Sequence, residues 1–200
     1  MQNNIQKCAC GVDEVGRGAL AGPIVVASVV FKNYQNIPKN IKDSKQTTSS
    51  QRKKILKLIL ENSHVGIGYI HSNIIDLVGI SKATEIAANE SILKNQGNKN
   101  LVLIDGNIKI SSKLKKKNII KGDCNYVSIA AASIVAKSIR DNIMTLKSFK
   151  YPIYKWHKNK GYGTKDHLLA IKLYGITDMH RKSFNMNSKK IDYAQCEKKN

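Results

Sequence analysis

The stretch GVDEVGRG, residues 11–18, decides the fold of this chain. It is preceded by a short alternating run, residues 8–10 (CAC), and followed by an apolar run, residues 23–31 (PIVVASVVF). Apolar and β-branched runs on both sides of a glycine-rich segment are typical of two strands joined by a turn. The pattern predicts a β-hairpin with two adjacent acids, Asp13 and Glu14, at the mouth of its turn.

The adjacent acids have a geometry that limits how they can act together. Neighbouring side chains on a strand point to opposite faces. Either the strand therefore ends at this pair of acids, or Glu14 reaches round from the turn. A solvated loop acid is the plain alternative, because acids are mostly exposed. The surrounding glycines favour a ligand site, since glycine lets a backbone approach a ligand closely.

The turn itself offers groups that suit an anion. The stretch Gly16-Arg17-Gly18 supplies free backbone N–H groups and one guanidinium, which suit a phosphate or a sugar hydroxyl. Carboxylates beside a phosphate would repel it unless a cation lay between them. The first hypothesis is a divalent-metal site that acts on a phosphodiester.

The composition favours one domain with a polyanionic partner. The chain has 200 residues, enough for a domain with a substantial core. Lysine and arginine number 34 against 14 acids, for a formal charge of +20, and nucleic acid is the first candidate partner. Many lysines lie in Asn- and Lys-rich segments, where a solvated surface is the alternative explanation. No membrane partner is expected, because the sequence shows no basic amphipathic helix with a bulky apolar face.

The sequence predicts a cytoplasmic protein. The polar start of the chain is unlike a signal peptide. The most apolar stretch, residues 21–31, is 11 residues long and too short to span a bilayer. The four cysteines fit no zinc or disulfide spacing and are expected to be structural thiols: Cys8, Cys10, Cys124 and Cys196.

Periodicity predicts further elements in a pattern typical of an α/β fold. Helices are expected at residues 49–61, 72–78, 81–94, 126–149 and 165–174, the last with Thr164 as N-cap. Strands are expected at residues 65–71, 101–105 and 118–121. Residues 113–117 (KLKKK) are expected to form a solvated loop.

Two further acids lie at the ends of predicted elements. Asp105 closes an apolar run (LVLIDG, residues 101–106) that is typical of a buried strand, and ligands bind at the carboxyl ends of such strands. Asp-Gly is also a strong turn signal. Asp123 precedes the longest predicted helix, where it could cap the helix or face a ligand. Asp141 lies about 22 Å along that helix from its start, so we assign it to a structural ion pair or a surface role.

Basic and aromatic residues concentrate toward the C-terminus. In GYGT, residues 161–164, Tyr162 stands between glycines and could stack on a base or sugar, or pack on its own domain. Residues 180–184 (HRKSF) are expected to form a basic patch, and residues 185–200 a frayed polar basic tail.

Four carboxylates stand out in a chain that is short of acids: Asp13, Glu14, Asp105 and Asp123. Brought together, they would repel one another and hold protons unless cations were present. Two Mg²⁺ ions about 3.5–4 Å apart would neutralise them and clamp the attacking and leaving oxygens of a phosphodiester.

Six motifs occur in an order that resembles type 2 ribonuclease H (ribonuclease HII) over about residues 8–184. They are GVDEVGRGALAGPIVVASVVF at 11–31, DSK at 43–45, LIDG at 103–106, KGDCNYVSIAAASIVAKSIRD at 121–141, GYGT at 161–164 and HRKSF at 180–184. The first and fourth motifs are long and specific.

The resemblance implies a ribonuclease H-like fold, with a mixed central β-sheet flanked by helices. It implies a single domain over residues 1–184, whose C-terminal portion from about residue 150 is small and helical. The implied activity is that of an endonuclease, which cleaves the RNA strand of RNA–DNA hybrids and nicks 5′ to ribonucleotides embedded in duplex DNA. The protein is expected to act as a monomer.

The resemblance also implies roles for individual residues. The catalytic and metal-binding positions fall on Asp13, Glu14, Asp105 and Asp123, with two Mg²⁺ or Mn²⁺ ions in the active complex. Gly16-Arg17-Gly18 matches the loop that senses the ribose 2′-hydroxyl, and Tyr162 matches the tyrosine at the RNA-to-DNA junction. Lys45 and Ser133 fall in segments that approach backbone phosphates.

Three departures from the family pattern bear on loop rigidity and phosphate contacts. Ala19 stands where proline is usual, Gln46-Thr47-Thr48 follows DSK in place of Lys-Leu-Thr, and Lys182 replaces an arginine. None of them removes a carboxylate or the tyrosine.

Two alternatives remain open at this point. A ribonuclease HIII-like enzyme would share the fold and chemistry but carry an extra N-terminal domain, for which little room precedes residue 13. A non-catalytic nucleic-acid-binding module would need only the basic charge, Arg17 and the Tyr162 loop. The expected reaction leaves 5′-phosphate and 3′-hydroxyl ends and needs no histidine, which separates it from ribonucleases that form cyclic phosphates.

Overall fold

Within the described residues, five strands form one mixed sheet. The computed structural model describes residues 9–33, 37, 41, 49–111 and 113–186. The strands are β1 (Ala9–Val15), β2 (Ile24–Phe31), β3 (Ser63–Ile70), β4 (Leu101–Asp105) and β5 (Lys116–Ile119). Their order across the sheet is β3-β2-β1-β4-β5.

Strand β1 separates the antiparallel half of the sheet from the parallel half. It pairs antiparallel with β2, which pairs antiparallel with β3, and the predicted hairpin is therefore confirmed. On its other side β1 pairs parallel with β4, and β4 pairs parallel with β5. The carboxyl ends of parallel strands meet at one edge of a sheet, so the ends of β1 and β4 bring Asp13 and Asp105 to the same edge.

The helices lie within one residue of their predicted bounds. They are α1 (Ser49–Asn62), α2 (Ser72–Val78), α3 (Ile80–Lys94), α4 (Gly122–Asn125), α5 (Val127–Lys150), α6 (Trp156–Asn159) and α7 (Lys165–Tyr174), with a 3-10 turn at Pro152–Tyr154. The short helices α4 and α6 are additional to the prediction. Thr164 caps α7 as expected, because its side chain accepts the N–H of His167.

Helices cover both faces of the sheet. Helix α3 packs on one face, against apolar side chains that include Val12 and Ile104. Helices α5 and α1 cover the other face. Helix α5 approaches β1 very closely, since a Cβ on Gly11 would lie 2.1 Å from the carbonyl carbon of Ser128. This contact fixes the start of α5 over the strand that carries Asp13.

The C-terminal portion has an apolar cluster of its own. Met144, Tyr154 and Trp156 are buried together with Ala21, which belongs to the loop after β1. Helices α6 and α7 therefore pack against the end of α5 and against that loop. The expected small helical C-terminal portion is confirmed.

Strand β5 corrects the sequence-based expectation for residues 113–117. Lys116 and Lys117 were expected in a loop but begin β5, which pairs with β4 and keeps its lysines exposed. An exposed edge strand needs no apolar alternation, so the hydrophobic pattern does not reveal it. The predicted ion pair of Asp141 is confirmed, since its carboxylate lies 3.0 Å from Lys137 Nζ.

Several expectations fall outside the described residues: Lys45 with the rest of the DSK motif, the departures at 46–48, Cys8, Cys196 and residues 187–200 of the tail. Of the cysteines that are described, Cys10 is buried, Cys124 is exposed, and both are free thiols. None of the described helices is long and apolar enough to cross a bilayer.

Candidate active site

Asp13 and Asp105 lie side by side at the carboxyl edge of the sheet. Val12 pairs with Ile104 in the parallel register of β1 and β4, so the next residues of the two strands, Asp13 and Asp105, also adjoin. Leu103 packs against α5, and strand alternation places Asp105 on that same face.

The carboxylate of Asp13 is buried between β1 and α5, with a relative exposure of 6%. Its Oδ1 accepts the Glu14 N–H at 2.7 Å, and the Ser133 hydroxyl of α5 donates to the same carboxylate. Burial raises the pKa of Asp13 to about 7, with a smaller contribution from the charges of Glu14 and Asp105 and in opposition to the Ser133 hydrogen bond. A bound cation would reverse this penalty on the ionised form.

Glu14 belongs to the strand, so the alternative in which it reaches round from the turn is wrong, and the strand ends one residue beyond the two acids. Strand β1 continues to Val15, and Glu14 pairs with Val26 of β2. Alternation puts Glu14 on the face opposite to Asp13, yet its carboxylate still interacts with those of Asp13 and Asp105. Burial raises the pKa of Glu14, and the guanidinium of Arg17 opposes that shift.

Asp105 is tied to the segment that carries Asp123. The N–H of Gly122 donates to Asp105 Oδ1 at 2.7 Å. A Cβ on Gly122 would lie 3.3 Å from that oxygen and 2.6 Å from Ile129 Cδ1, so glycine allows this contact without displacing the Ile129 side chain. Asp123 follows in the first turn of α4, with a relative exposure of 9%. It does not cap the long helix, because Tyr126 holds that position.

The four acids form a donor set that suits a hard divalent cation. Carboxylate oxygens are the ligands that Mg²⁺ and Mn²⁺ prefer. In the described part of the chain, no three His, Cys, Asp or Glu side chains are placed to hold an ion as they stand. The oxygen donors and the raised pKa of Asp13 both fit such an ion.

The loop after β1 is tightly packed at Gly16 and open at Gly18. Gly16 has a φ of +96°, and a Cβ there would lie 2.2 Å from Arg140 Nε. The Ala19 N–H donates to the Gly16 carbonyl at 3.3 Å, which closes a turn. Gly18 is exposed, and a Cβ there would meet no atom within 4 Å. The loop is thus packed against Arg140 at Gly16 and open to solvent at Gly18.

Tyr162 presents a partly exposed ring, with a relative exposure of 38%, on a loop bonded to the one after β1. Gly161 has a φ of +83°, and its carbonyl accepts the N–H groups of Leu20 at 2.8 Å and Ala21 at 3.2 Å. The Arg140 guanidinium lies 5.2 Å from the ring centroid of Tyr162. The ring therefore has both properties considered from the sequence: it packs on its own domain, and part of it is open for stacking.

Sequence reasoning misses two buried arginines behind these loops. Arg140 continues the row of Ala132 and Ala136 at intervals of four on the buried side of α5, and a charge in an apolar row was the available signal. The expectation that Arg181 belongs to a basic surface patch is wrong, because its side chain is fully buried. Its guanidinium is turned inward by three hydrogen bonds to loop carbonyls.

The sequence matches a known protein family and several of its members. A family model described as Ribonuclease HII matches residues 10–187. A Ribonuclease HII of Wolbachia sp. subsp. Brugia malayi (strain TRS) is 44% identical over 184 residues, which cover 92% of this chain and 91% of the relative. A Ribonuclease HII of Borrelia duttonii (strain Ly) is 44% identical over 180 residues, which cover 88% of this chain and 98% of the relative.

Solved structures show the same fold at low sequence identity. The ribonuclease HII in a PCNA:RNase HII complex from Archaeoglobus fulgidus matches with a TM-score of 0.78 and 22% identity, covering 92% of this chain and 98% of that one. Bst-RNase HIII in complex with Mn2+ matches with a TM-score of 0.73 and 20% identity, covering 90% of this chain and 68% of that one. The predicted ribonuclease H-like fold is confirmed.

Proposed function

We propose, from the premise that the chain belongs to the ribonuclease HII family, that its carboxylate cluster hydrolyses strands at ribonucleotides with two divalent cations. Membership of the family makes the chain a ribonuclease H, an endonuclease that cleaves the RNA strand of RNA–DNA hybrids. The proposal extends this activity to nicking duplex DNA on the 5′ side of a single embedded ribonucleotide. The product ends would be a 5′-phosphate and a 3′-hydroxyl.

The adjacency of Asp13 and Asp105 on parallel strands is the observation that carries the proposal. Acids are scarce in this chain of formal charge +20, yet these two adjoin at a sheet edge with Glu14 beside them. Such a cluster is unfavourable alone, because like charges disfavour ionisation of their neighbours. Divalent cations held by these carboxylates would make the cluster favourable.

The ions, Mg²⁺ or Mn²⁺, would be held by the four carboxylates Asp13, Glu14, Asp105 and Asp123. When bound, two such ions would supply a water of lowered pKa and stabilise the leaving oxygen. The Ser133 hydroxyl and the Gly122 N–H each donate to one of the adjoining aspartates, which supports a role for both in orienting ligand oxygens. A structural neighbour, Bst-RNase HIII, was solved in complex with Mn2+.

The substrate would be recognised by two loops beside the carboxylate cluster, residues 16–18 and the loop that carries Tyr162, which we call the substrate loops. We name residues 16–18 the ribose-sensing loop, because we assign them the recognition of the 2′-hydroxyl that tells RNA from DNA. The exposed part of the Tyr162 ring would stack at the RNA-to-DNA junction. Lys45 and Ser133 remain proposed contacts near the backbone phosphates. One chain would suffice, acting as a monomer in the cytoplasm.

The first experiment uses an end-labelled DNA duplex that contains one ribonucleotide. Wild type and Asp105→Asn are incubated with Mg²⁺, with Mn²⁺ and with chelator, and the product ends are mapped. We expect a metal-dependent nick 5′ to the ribonucleotide in wild type and its loss in the variant. Glu90→Gln is a matched control, because Glu90 lies on α3, away from the carboxylates, and pairs with Lys94 at the surface.

Other outcomes would change the proposal in defined ways. Cleavage of a long RNA–DNA hybrid without a nick at the single ribonucleotide would favour the ribonuclease HIII-like alternative. Products with 2′,3′-cyclic phosphate ends would overturn the metal-assisted mechanism. Tight binding by wild type without cleavage of either substrate would leave a basic nucleic-acid-binding module.

A further inference from the structure

Two arginines are buried behind the substrate loops without a carboxylate partner. Arg140 and Arg181 each have a relative exposure of 0%. In the described part of the chain, neither guanidinium forms an ion pair, and all of their hydrogen bonds go to backbone carbonyls. Burial lowers the pKa of Arg140, and burial together with the charge of Arg140 lowers the pKa of Arg181 to about 9.

Arg140 joins three separate pieces of backbone. Its Nε donates to the Pro23 carbonyl at 2.9 Å, its Nη2 to the Ala21 carbonyl at 3.1 Å, and its Nη1 to the Lys160 carbonyl at 2.9 Å. The same guanidinium lies against the Tyr162 ring. It also fills the space beside Gly16, where a Cβ would clash with it. One side chain of α5 therefore contacts both substrate loops.

Arg181, in the C-terminal segment, forms hydrogen bonds to the same loop after β1. Its Nε and Nη2 donate to the Gly22 carbonyl at 3.1 and 2.9 Å, and its Nη1 donates to the Arg17 carbonyl at 2.9 Å. The Arg181 N–H also donates to the Leu20 carbonyl at 2.9 Å. The carbonyl of Arg17, inside the ribose-sensing loop, is thus fixed by a buried cation.

Stability alone is a poor explanation for this arrangement. Burying two like charges is unfavourable, and apolar side chains of similar volume often fill such a site at no loss of stability. What an apolar side chain does not supply is a planar fork of five donors, which sets several carbonyls at fixed distances. The geometry therefore serves the placement of the loops more than the stability of the core.

We propose that Arg140 is a positioning residue that sets the separation between the ribose-sensing loop and the Tyr162 ring, and with it the preference for an RNA-to-DNA junction. Arg181 supports the same geometry from the C-terminal segment. The inference rests on the proposed function, because it assigns a cause to the selectivity of that same site. Neither arginine contacts the carboxylate cluster or a reacting atom.

The test compares two substrates, a duplex with one embedded ribonucleotide and a hybrid with a uniform RNA strand. The measured quantity is the ratio of kcat/KM for the first substrate to kcat/KM for the second. We expect Arg140→Lys to lower this ratio roughly tenfold or more, because a 1 Å misplacement of a positioning group can reduce a rate by about 100-fold. Tyr162→Ala should lower it in the same direction.

The double variant distinguishes a shared positioning role from general destabilisation, because it tests whether the two effects on the kcat/KM ratio are additive. Residues that act through one shared geometry are not additive, so Arg140→Lys combined with Tyr162→Ala should lower the ratio little further than the larger single effect. Ile92→Ala is the control, because Ile92 lies on the buried side of α3, on the face of the sheet opposite to α5. It should lower the Tm and leave the ratio unchanged.

Each outcome separates this inference from the proposed function. Wild type that cuts neither substrate defeats the proposed function itself. Wild type that cuts both, with a folded Arg140→Lys of unchanged ratio or with fully additive effects, overturns the positioning role alone. If Arg140→Lys does not fold, Arg181→Lys carries the test, because Arg181 fixes the Arg17 carbonyl inside the ribose-sensing loop and so holds the same loop separation. An unchanged ratio in that variant also overturns the inference.

Discussion

At the scale of single residues, Asp13 is an acid in surroundings that disfavour its charge. It lies under α5 with two other carboxylates nearby, and its pKa is raised to about 7 from an ordinary value of 3.8. The folded protein therefore holds this proton more tightly than the unfolded chain does. The stability that Asp13 contributes is complete below pH 3.8 and is lost as the pH rises through 7.

We expect Asp13→Asn to raise the Tm in the presence of chelator at pH 8, and to have little effect at pH 4. Asparagine keeps the shape of the side chain and removes the charge, so the gain appears only where Asp13 would be ionised. A gain of about 1 kcal/mol corresponds to about 2–4 °C for a domain of this size. Thermal unfolding at the two pH values, with Glu90→Gln as control, measures it.

The metal should reverse the sign of this comparison. Ions that bind only the folded protein stabilise it in proportion to their affinity, so Mg²⁺ should raise the Tm of wild type more than that of Asp13→Asn. Equal Tm values for the two proteins in chelator at pH 8 would contradict the electrostatic account of the cluster.

The two glycines of the ribose-sensing loop provide a matched pair of substitutions. Gly16→Ala should lower stability by about 1–2 kcal/mol from its positive φ alone, and further because the new Cβ meets Arg140. Gly18→Ala should leave stability within about 0.5 kcal/mol, since the position is open. If substrate backbone approaches Gly18, the same change should lower kcat/KM roughly tenfold.

Denaturant unfolding and steady-state rates measure the two effects separately. A Gly18→Ala variant that is both stable and fully active would mean that the substrate does not approach this side of the loop.

The sequence predicts the acids of the site but not its arginines, for a physical reason. Asp13 and Glu14 stand in a glycine-rich stretch between two strand-like runs, and Asp105 closes an apolar run directly before Gly106, so all three stand beside local signals. The role of Arg140 depends on carbonyls 117 and 119 residues away in the chain. Contacts of that separation exist only after the C-terminal portion has docked on the loop after β1.

At the scale of elements, the C-terminal portion places Tyr162 through a network of neutral histidines. Trp156 Nε1 donates to His167 Nε2 at 3.0 Å, and the Thr177 N–H donates to His180 Nδ1 at 2.9 Å. His180 Nε2 must then carry the proton that bridges the 3.1 Å to His167 Nε2. His167 Nδ1 in turn donates to the Tyr162 carbonyl at 2.9 Å. This tautomer assignment follows from the hydrogen-bond partners.

Protonation of this network should destabilise the C-terminal portion. Burial, and then the charge of His167, lowers the pKa of His180 to about 4, against the opposing charge of Asp178. Burial also lowers the pKa of His167. Since the unfolded histidines titrate near 6.5, the stabilisation is complete above that pH and is lost as the pH falls toward 4.

We expect the Tm of wild type to fall as the pH is lowered from 6.5 to 4. The fall should be smaller in His180→Gln than in wild type. The comparison between variants isolates the histidine contribution, because Asp13 contributes with the opposite sign over the same range. His157→Gln is the control, since His157 is exposed on α6. Parallel curves for wild type and His180→Gln would show that the network does not titrate with folding.

Elements differ in how far sequence alone predicts them. Helix α5 was placed to within one residue, because its apolar row repeats for 24 residues. Strand β5 was predicted two residues too far along the chain, at 118–121 instead of Lys116–Ile119, because an exposed edge strand carries lysines where a buried strand would carry apolar side chains. Periodicity reports burial, and it is silent where an element is held by hydrogen bonds at a sheet edge.

At the scale of the whole molecule, the charge of +20 supplies an attraction that depends on where the lysines lie. Lys155, Lys158 and Lys165 line a surface pocket of about 360 Å³ next to the Tyr162 loop. Lys94 lies at the end of α3, before the chain enters β4, and so at the sheet edge opposite to the carboxylates. Under the proposed function, the three lysines beside the Tyr162 loop would lie near the bound duplex, and Lys94 would not.

The salt dependence of substrate binding distinguishes the lysines beside the Tyr162 loop from Lys94. Each phosphate neutralised by a lysine contributes about −0.9 to the slope of log K against log salt concentration for duplex DNA. Lys158→Gln should therefore make the slope for substrate binding shallower by roughly one unit, with little change in kcat. Lys94→Gln removes the same charge at the opposite edge and should leave the slope in place. Both slopes are measured by the binding of the duplex substrate in the presence of chelator, over a range from low to high salt. Equal slopes for the two variants would mean that the net charge acts without regard to the position of the lysines.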